Sequence, residues 1–256
     1  MTALVCFTMD NLSDAADLGR GLISQPRQPG NRPALERGFP ALLELYARYD
    51  IKITHFVEGW NGEAHPQELQ ELLRQGHELG MHGWQHEDWK TLTATQARDL
   101  AERATAALER ASGTRPRAFR APGGARSSAT AQILSDLGYR IDASLGPGGD
   151  DAGAVSQLTP TLWTVPYEWQ AVDATHWLWN SRSCEEVEAI WRAALTRAAE
   201  RNGFLTFIWH PHVMGIDADR LALGARILEW VTRDDSFRPV SLRKLVEYHQ
   251  AQLPDF

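Results

Sequence analysis

Short apolar runs rich in β-branched and aromatic residues alternate along this chain with longer runs of helical periodicity, and no other feature constrains its fold as strongly. Leu4 to Met9, Ile51 to Val57, Glu78 to His82, Ala118 to Arg120, Tyr139 to Ala143, Leu162 to Pro166 and Phe204 to Trp209 read as strands. Phe39 to Tyr49, Pro66 to Gln75, Thr93 to Ser112, Ser128 to Leu137, Ala218 to Thr232 and Ser241 to Gln250 read as helices. A further helix starts at Ser183, with an apolar stripe of Val187, Ile190, Trp191, Ala194 and Ala198. Such alternation demands parallel strands joined by helical crossovers, in a layered or barrel architecture. Local chemistry marks the boundaries. Thr93 with Gln96, and Ser183 with Glu186, have the spacing of capping boxes, while Gly76, Gly113 and Gly138 follow helix ends. The Gly-, Asp- and Pro-rich stretch Leu145 to Pro160 reads as a long loop bordering a site.

The chain has 256 residues, 43% hydrophobic and 23% charged, enough for one large core, and it shows no repeat, linker or low-complexity segment. A single domain over residues 1–256 is expected. Its net charge of −7 comes with interspersed signs and no Lys/Arg block, which speaks against nucleic acid or an anionic membrane as partner. The apolar start Met1 to Phe7 has no basic region before it and no cleavage site after it, so it reads as a first strand and the expected location is the cytoplasm. Cys6 and Cys184 form neither a disulfide framework nor a thiolate metal site. Among the ten tryptophans, a few at loop ends are suited to stacking on a flat substrate or a sugar.

The chemistry concentrates in Met81-His82-Gly83-Trp84-Gln85-His86-Glu87-Asp88. Two imidazoles separated by three residues sit at a strand end. A helical turn there would bring them within about 6 Å on one side, a separation that a divalent metal bridges given a further ligand and an open position. In parallel α/β barrels the loops after the strands converge on one face. Asp10, His82, Arg120 and His210 each fall at or just past a strand end, so four strands deliver polar groups to one mouth.

Taken in order, Thr8-Met9-Asp10-Asn11, His82-Gly83-Trp84-Gln85-His86, Arg120-Ala121-Pro122-Gly123-Gly124, Pro166-Tyr167-Glu168-Trp169 with Asp173 downstream, and Phe207-Ile208-Trp209-His210-Pro211 resemble the five motifs of the polysaccharide deacetylase family, the NodB-homology group of carbohydrate esterase family 4. The wording of the third to fifth motifs is most similar to the intracellular branch, with its peptidoglycan-deacetylase-like, allantoinase-like and cyclic-imidase-like members. The resemblance implies a distorted (β/α)7 barrel, hydrolysis of a C–N amide bond at a bound divalent metal, usually zinc, and a homo-oligomer.

It also implies roles. His82 and His86 are the metal ligands, Asp10 the base with Arg120 beside it, and His210 the general acid with His212 as competitor. Trp169 is read as a pocket wall, Trp84 and the Pro122-Gly123 turn as substrate-binding, with main-chain N–H groups of the Pro122-Gly123-Gly124 turn near the oxyanion. One departure stands out. Where the family supplies a second carboxylate, this chain has Asn11 and then Leu12. Asn11 offers only a neutral amide oxygen as a third ligand, which balances less of a dication's charge; Asp14 and Asp10 are the other oxygens within reach. The substrate expected is a small-molecule or saccharide amide, foremost an N-acetylated sugar. A ring-opening hydrolase of a cyclic imide or ureide and a catalytically silent glycan-binding protein are the alternatives.

Overall fold

The computed structural model describes residues 2–146 and 153–252. Nine strands form one curled sheet: β1 (Ala3–Asp10), β2 (Thr54–Val57), β3 (Glu78–Met81), β4 (Ala118–Phe119), β5 (Ile141–Asp142), β6 (Ser156–Thr159), β7 (Leu162–Thr164), β8 (Phe204–Trp209) and β9 (Phe237–Pro239). Their order is β6-β7-β5-β4-β3-β2-β1-β8, with β9 paired alongside the start of β1. All neighbours are parallel except β6 and β7, which pair antiparallel. Setting β6 and β9 aside, the strands make a distorted, open (β/α)7 barrel. Among the described residues β7 and β8 do not pair; the segment after β7 makes a single parallel bridge to β8, Val172 to Ile208.

The helices are α1 (Ala15–Gly19), α2 (Phe39–Arg48), α3 (Gly59–Ala64), α4 (Pro66–Arg74), α5 (Ala94–Ser112), α6 (Thr130–Asp136), α7 (Cys184–Glu200), α8 (Ala218–Arg233) and α9 (Leu242–Gln250). Both expected capping boxes are present, each with its reciprocal pair of hydrogen bonds. Gly113 ends α5 at a φ of 73°, in the left-handed region. Of the stripe expected on α7, Val187, Trp191, Ala194 and Ala198 are buried, while Ile190 is half-buried against the core. The stretch expected as one long loop contains β6, and its residues 147–152 lie outside the described residues.

β1 shows why the site lies where it does. All eight of its residues are buried, and successive side chains point to opposite faces. Ala3, Val5, Phe7 and Met9 join the core between the sheet and the surrounding helices. Leu4 and Cys6 point the other way, into a second cluster plugged by Leu242, Leu245 and Val246 of α9. Continuing up that inner face come Thr8 and then Asp10. The barrel interior therefore runs from an apolar, closed bottom to a polar mouth at the strand C-terminal ends.

Candidate active site

The mouth opens as a cavity of about 340 Å³ whose lining includes Asp10, Asn11, His82, His86, His210 and Trp169. Asp10 is 4% exposed and would be costly as a buried charge without a partner. Arg120, 1% exposed, supplies it from the end of β4, with Nη1 donating to Asp10 Oδ1 at 2.6 Å and to Thr8 Oγ1 at 2.9 Å. Its Nε donates to the Ala143 carbonyl at 2.8 Å, fixing the guanidinium plane. Burial raises the Asp10 pKa, but the Arg120 charge with the His82 and His210 imidazoles outweighs it and holds the carboxyl below its usual range. Asp10 is therefore an ionised, oriented carboxylate.

His82 Nδ1 lies 2.9 Å from the Arg120 carbonyl oxygen. A carbonyl only accepts, so Nδ1 carries the proton and Nε2 keeps its lone pair. That Nε2 is 4.0 Å from Asp10 Oδ2. Burial first, partly offset by Asp10, lowers the His82 pKa to about 4 and keeps the ring neutral. The His86 ring centroid stands 5.0 Å away. The two rings are brought together without the expected helical turn. Gly83 and His86 both adopt positive φ, 74° and 69°, and the Glu87 carboxylate accepts the N–H groups of Trp84 and Gln85 at 2.9 and 2.7 Å. A Cβ on Gly83 would lie 2.8 Å from that carboxylate and on a left-handed backbone, so glycine is favoured there.

His210 follows β8. Its Nδ1 is 2.5 Å from Asp173 Oδ1, and its backbone N–H donates to Asp173 Oδ2 at 2.7 Å. Burial lowers the His210 pKa, yet the Asp173 carboxylate outweighs it and the net shift is upward. His212 also lines the cavity, but it is exposed to solvent, has no carboxylate partner among the described residues, and its pKa is lowered. Of the two, His210 is the one built to hold a proton.

Other expected residues are placed differently. Trp169 lines the cavity and packs against Tyr167 and Trp179. Trp84 is no part of the mouth: it is 4% exposed, in the core beside Gly59, with the Arg103 guanidinium 3.5 Å over its ring. Its side chain follows a turn that points inward once Gly83 takes positive φ. Pro122 is buried behind the lining, where Gly123 is present. The Gly124 N–H closes the turn onto the Ala121 carbonyl at 2.8 Å, so it is not available to an oxyanion. Asp14 reaches the cavity, but Arg27 holds both of its oxygens, at 2.6 and 2.7 Å. Two groups escaped the sequence reading, Arg20 with Nη2 3.2 Å from His86 Nδ1 and Glu58, buried beside Asn11, while Asp173, read there with the fourth motif, was given no partner. Glu58 directly follows the strand Thr54–Val57, and the rule that found Asp10 and Arg120 applies to it equally.

Residues 30–141 match the polysaccharide deacetylase family model. That span is under half of the chain, and over it the chain is similar to the polysaccharide deacetylase family. Asp10, Asp173 and His210 lie outside the matched span, and the fold brings them to His82, His86 and Arg120. The domain is similar to the peptidoglycan deacetylase of Helicobacter pylori, 28% identical over 157 residues, which are 61% of this chain and 47% of that protein. The chain thus spans about half the length of that curated relative. Among solved structures, a candidate polysaccharide deacetylase from Mycobacterium smegmatis superposes with a TM-score of 0.83 at 22% identity, covering 100% of this chain and 95% of that one. Puue allantoinase superposes with a TM-score of 0.82 at 18% identity, covering 99% and 92%. Both share the fold of the deacetylase domain.

The donor set can be tested against the metal that such a domain implies. His82 presents a free Nε2 lone pair. Asn11 turns its Nδ2 to Glu58, which leaves its Oδ1 as the acceptor on the cavity side. Among the described residues no group of three His, Cys, Asp or Glu side chains is arranged to hold a metal. As placed, His86 Nδ1 accepts from Arg20, and this contact must open for His86 to ligate through Nε2. Two imidazoles and an amide oxygen fit a borderline divalent ion such as zinc, held more loosely than by a carboxylate.

Proposed function

We propose that the domain is a hydrolase of a C–N amide bond, acting on an N-acetylated sugar or a related small amide, with His82, His86 and Asn11 holding a divalent ion, zinc for preference. The observation that carries this reading is the pairing of two oppositely tuned groups across one cavity, Asp10 held ionised by Arg120 and His210 held protonated by Asp173. Bound at the mouth, such an ion supplies Lewis-acid polarisation and an acidified water. The chain's own groups do the proton work. Asp10 takes a proton from the attacking water, Arg120 keeps that carboxylate aimed, and His210 gives its proton to the departing nitrogen, a step typically worth about 10²–10⁴ in rate. Trp169 forms one wall against the substrate, and Gly123 lets main chain approach the reacting carbonyl.

A second reading, ring opening of a cyclic imide or ureide, draws support from the cavity itself, which at about 340 Å³ lies at the small end of ligand sites. The intact Asp10–Arg120 and His210–Asp173 pairs argue against a silent glycan-binding protein. An intracellular homo-oligomer accompanies either reading, and the exposed Leu178 and Trp179 at the rim suit subunit contact. No helix among the described residues is long and apolar enough to cross a membrane. Amine or acid release from acetylated chito-oligomers set against dihydropyrimidine-like rings separates the two enzymatic readings. Turnover of the oligomers alone supports the first, turnover of the rings alone the second, and turnover of neither with zinc present contradicts both.

A further inference from the structure

Glu58 plays no part in the proton chemistry above, yet its side chain is fully buried at the end of β2. Its Oε1 accepts from Asn11 Nδ2 and its Oε2 accepts from Asn61 Nδ2 at 2.6 Å, and Asn61 is itself fully buried. Burial pushes the Glu58 carboxyl up to about 7, and in its ionised form both oxygens accept, which turns the Asn11 nitrogen to Glu58 and leaves Oδ1 without a partner among the described residues. The backbone of Asn11 is pinned just as firmly. It adopts a φ of 63°, its N–H donates to the Phe56 carbonyl at 3.1 Å, and its carbonyl accepts from His55 Nε2 at 2.7 Å. A residue other than glycine held in this region is sustained by its surroundings. Here the surroundings settle both where Asn11 stands and which atom it turns to the cavity. The same loop reaches the histidine turn, for the N–H groups of Gly59 and Trp60 donate to the carbonyls of Gly83 and Trp84 at 2.9 and 3.1 Å.

From this geometry we propose that Glu58 is a positioning residue: it orients the Asn11 amide so that Oδ1 is offered to a cation beside His82 and His86, with a carboxylate behind it. The inference rests on the metal-binding reading given above. Groups that orient metal ligands typically contribute about 10–100-fold to metal affinity. A glutamine at position 58 keeps the volume but can accept at one atom only, which leaves one of the two asparagine amides without its acceptor.

The test is zinc titration by calorimetry on the full chain, with thermal unfolding measured alongside. Glu58→Gln is expected to weaken zinc binding about 10–100-fold. Adding Asn11→Asp to it restores a donor–acceptor pair with the roles exchanged, the introduced glutamine amide donating to the introduced carboxylate, and is expected to recover at least the native affinity. Zinc binding by Glu58→Gln within twofold of native overturns the inference while leaving the metal reading in place. A native protein that binds no zinc removes the metal reading and this inference together. Should Glu58→Gln fail to fold, the double variant decides: recovery of both fold and affinity supports the orienting role, and failure to recover either one overturns it.

Discussion

Two ionisable pairs, Asp10 with Arg120 and His210 with Asp173, move their members' pKa values in useful directions, and a pH profile reads both. His210 is raised from its ordinary value of 6.5 by Asp173, so its acid form persists above that pH and is lost as the pH climbs through the raised value. Asp10 is lowered from 3.8, so its base form is lost only in strong acid. Activity should therefore hold through neutral pH and fall on an alkaline limb above 6.5. Asp173→Asn removes the anion that raises His210, and the expected outcome is an alkaline limb shifted to lower pH with a reduced plateau; a limb that stays put in kcat/KM profiles would separate His210 from acid catalysis. At this scale the sequence was informative where a residue's position follows from a strand end, as with Asp10, Arg120 and His210. It was silent where the role depends on a partner distant in sequence. Asp173 is 37 positions from His210 and Glu58 47 from Asn11, and only the assembled barrel brings either pair together.

The element on which the site turns is the segment from Met81 to Glu87, and its shape was the least legible. Spacing alone suggested a helical turn, which would also have placed the two imidazoles together. The chain reaches that proximity through positive φ at Gly83 and His86, with Glu87 capping the N–H groups of Trp84 and Gln85. The same change of hand sends Trp84 into the core. Capping boxes, by contrast, were readable because both partners lie within four residues. The strands β6 and β9 were not, since Ser156–Thr159 is mostly polar with no buried residue and Phe237–Pro239 has one buried residue and ends in proline, so neither carries an apolar strand pattern. The distinction is testable with two variants. Thr93→Ala should lower stability by about 1 kcal/mol in denaturant unfolding without changing kcat/KM. Glu87→Ala frees two N–H groups at the histidine turn and should lower kcat/KM by about 10–100-fold. Equal kcat/KM in the two variants would mean that the turn's shape does not matter to function.

Across the whole molecule, the inner face of β1 sets the design, with Leu4 and Cys6 over the plug of α9 and Thr8 and Asp10 at the open end. The alternation of strand-like and helix-like runs was enough to anticipate this polarity, because parallel strands must send their C-terminal loops to one side. The break in the barrel between β7 and β8 was not legible, since it depends on how far the sheet curls. What the architecture achieves is to place a carboxylate held below its usual pKa, imidazoles lowered by burial and an imidazole raised by its Asp173 partner around one small cavity. The measurement that bears on this most directly is release of amine from an acetylated chito-oligomer and release of acid on opening a cyclic imide, with zinc supplied, by the native chain and by Asp10→Asn. The account predicts release from at least one of these substrates by the native chain and a loss of about 10²–10⁴ in kcat on replacing Asp10. Equal release by both proteins, or release by neither, would contradict it.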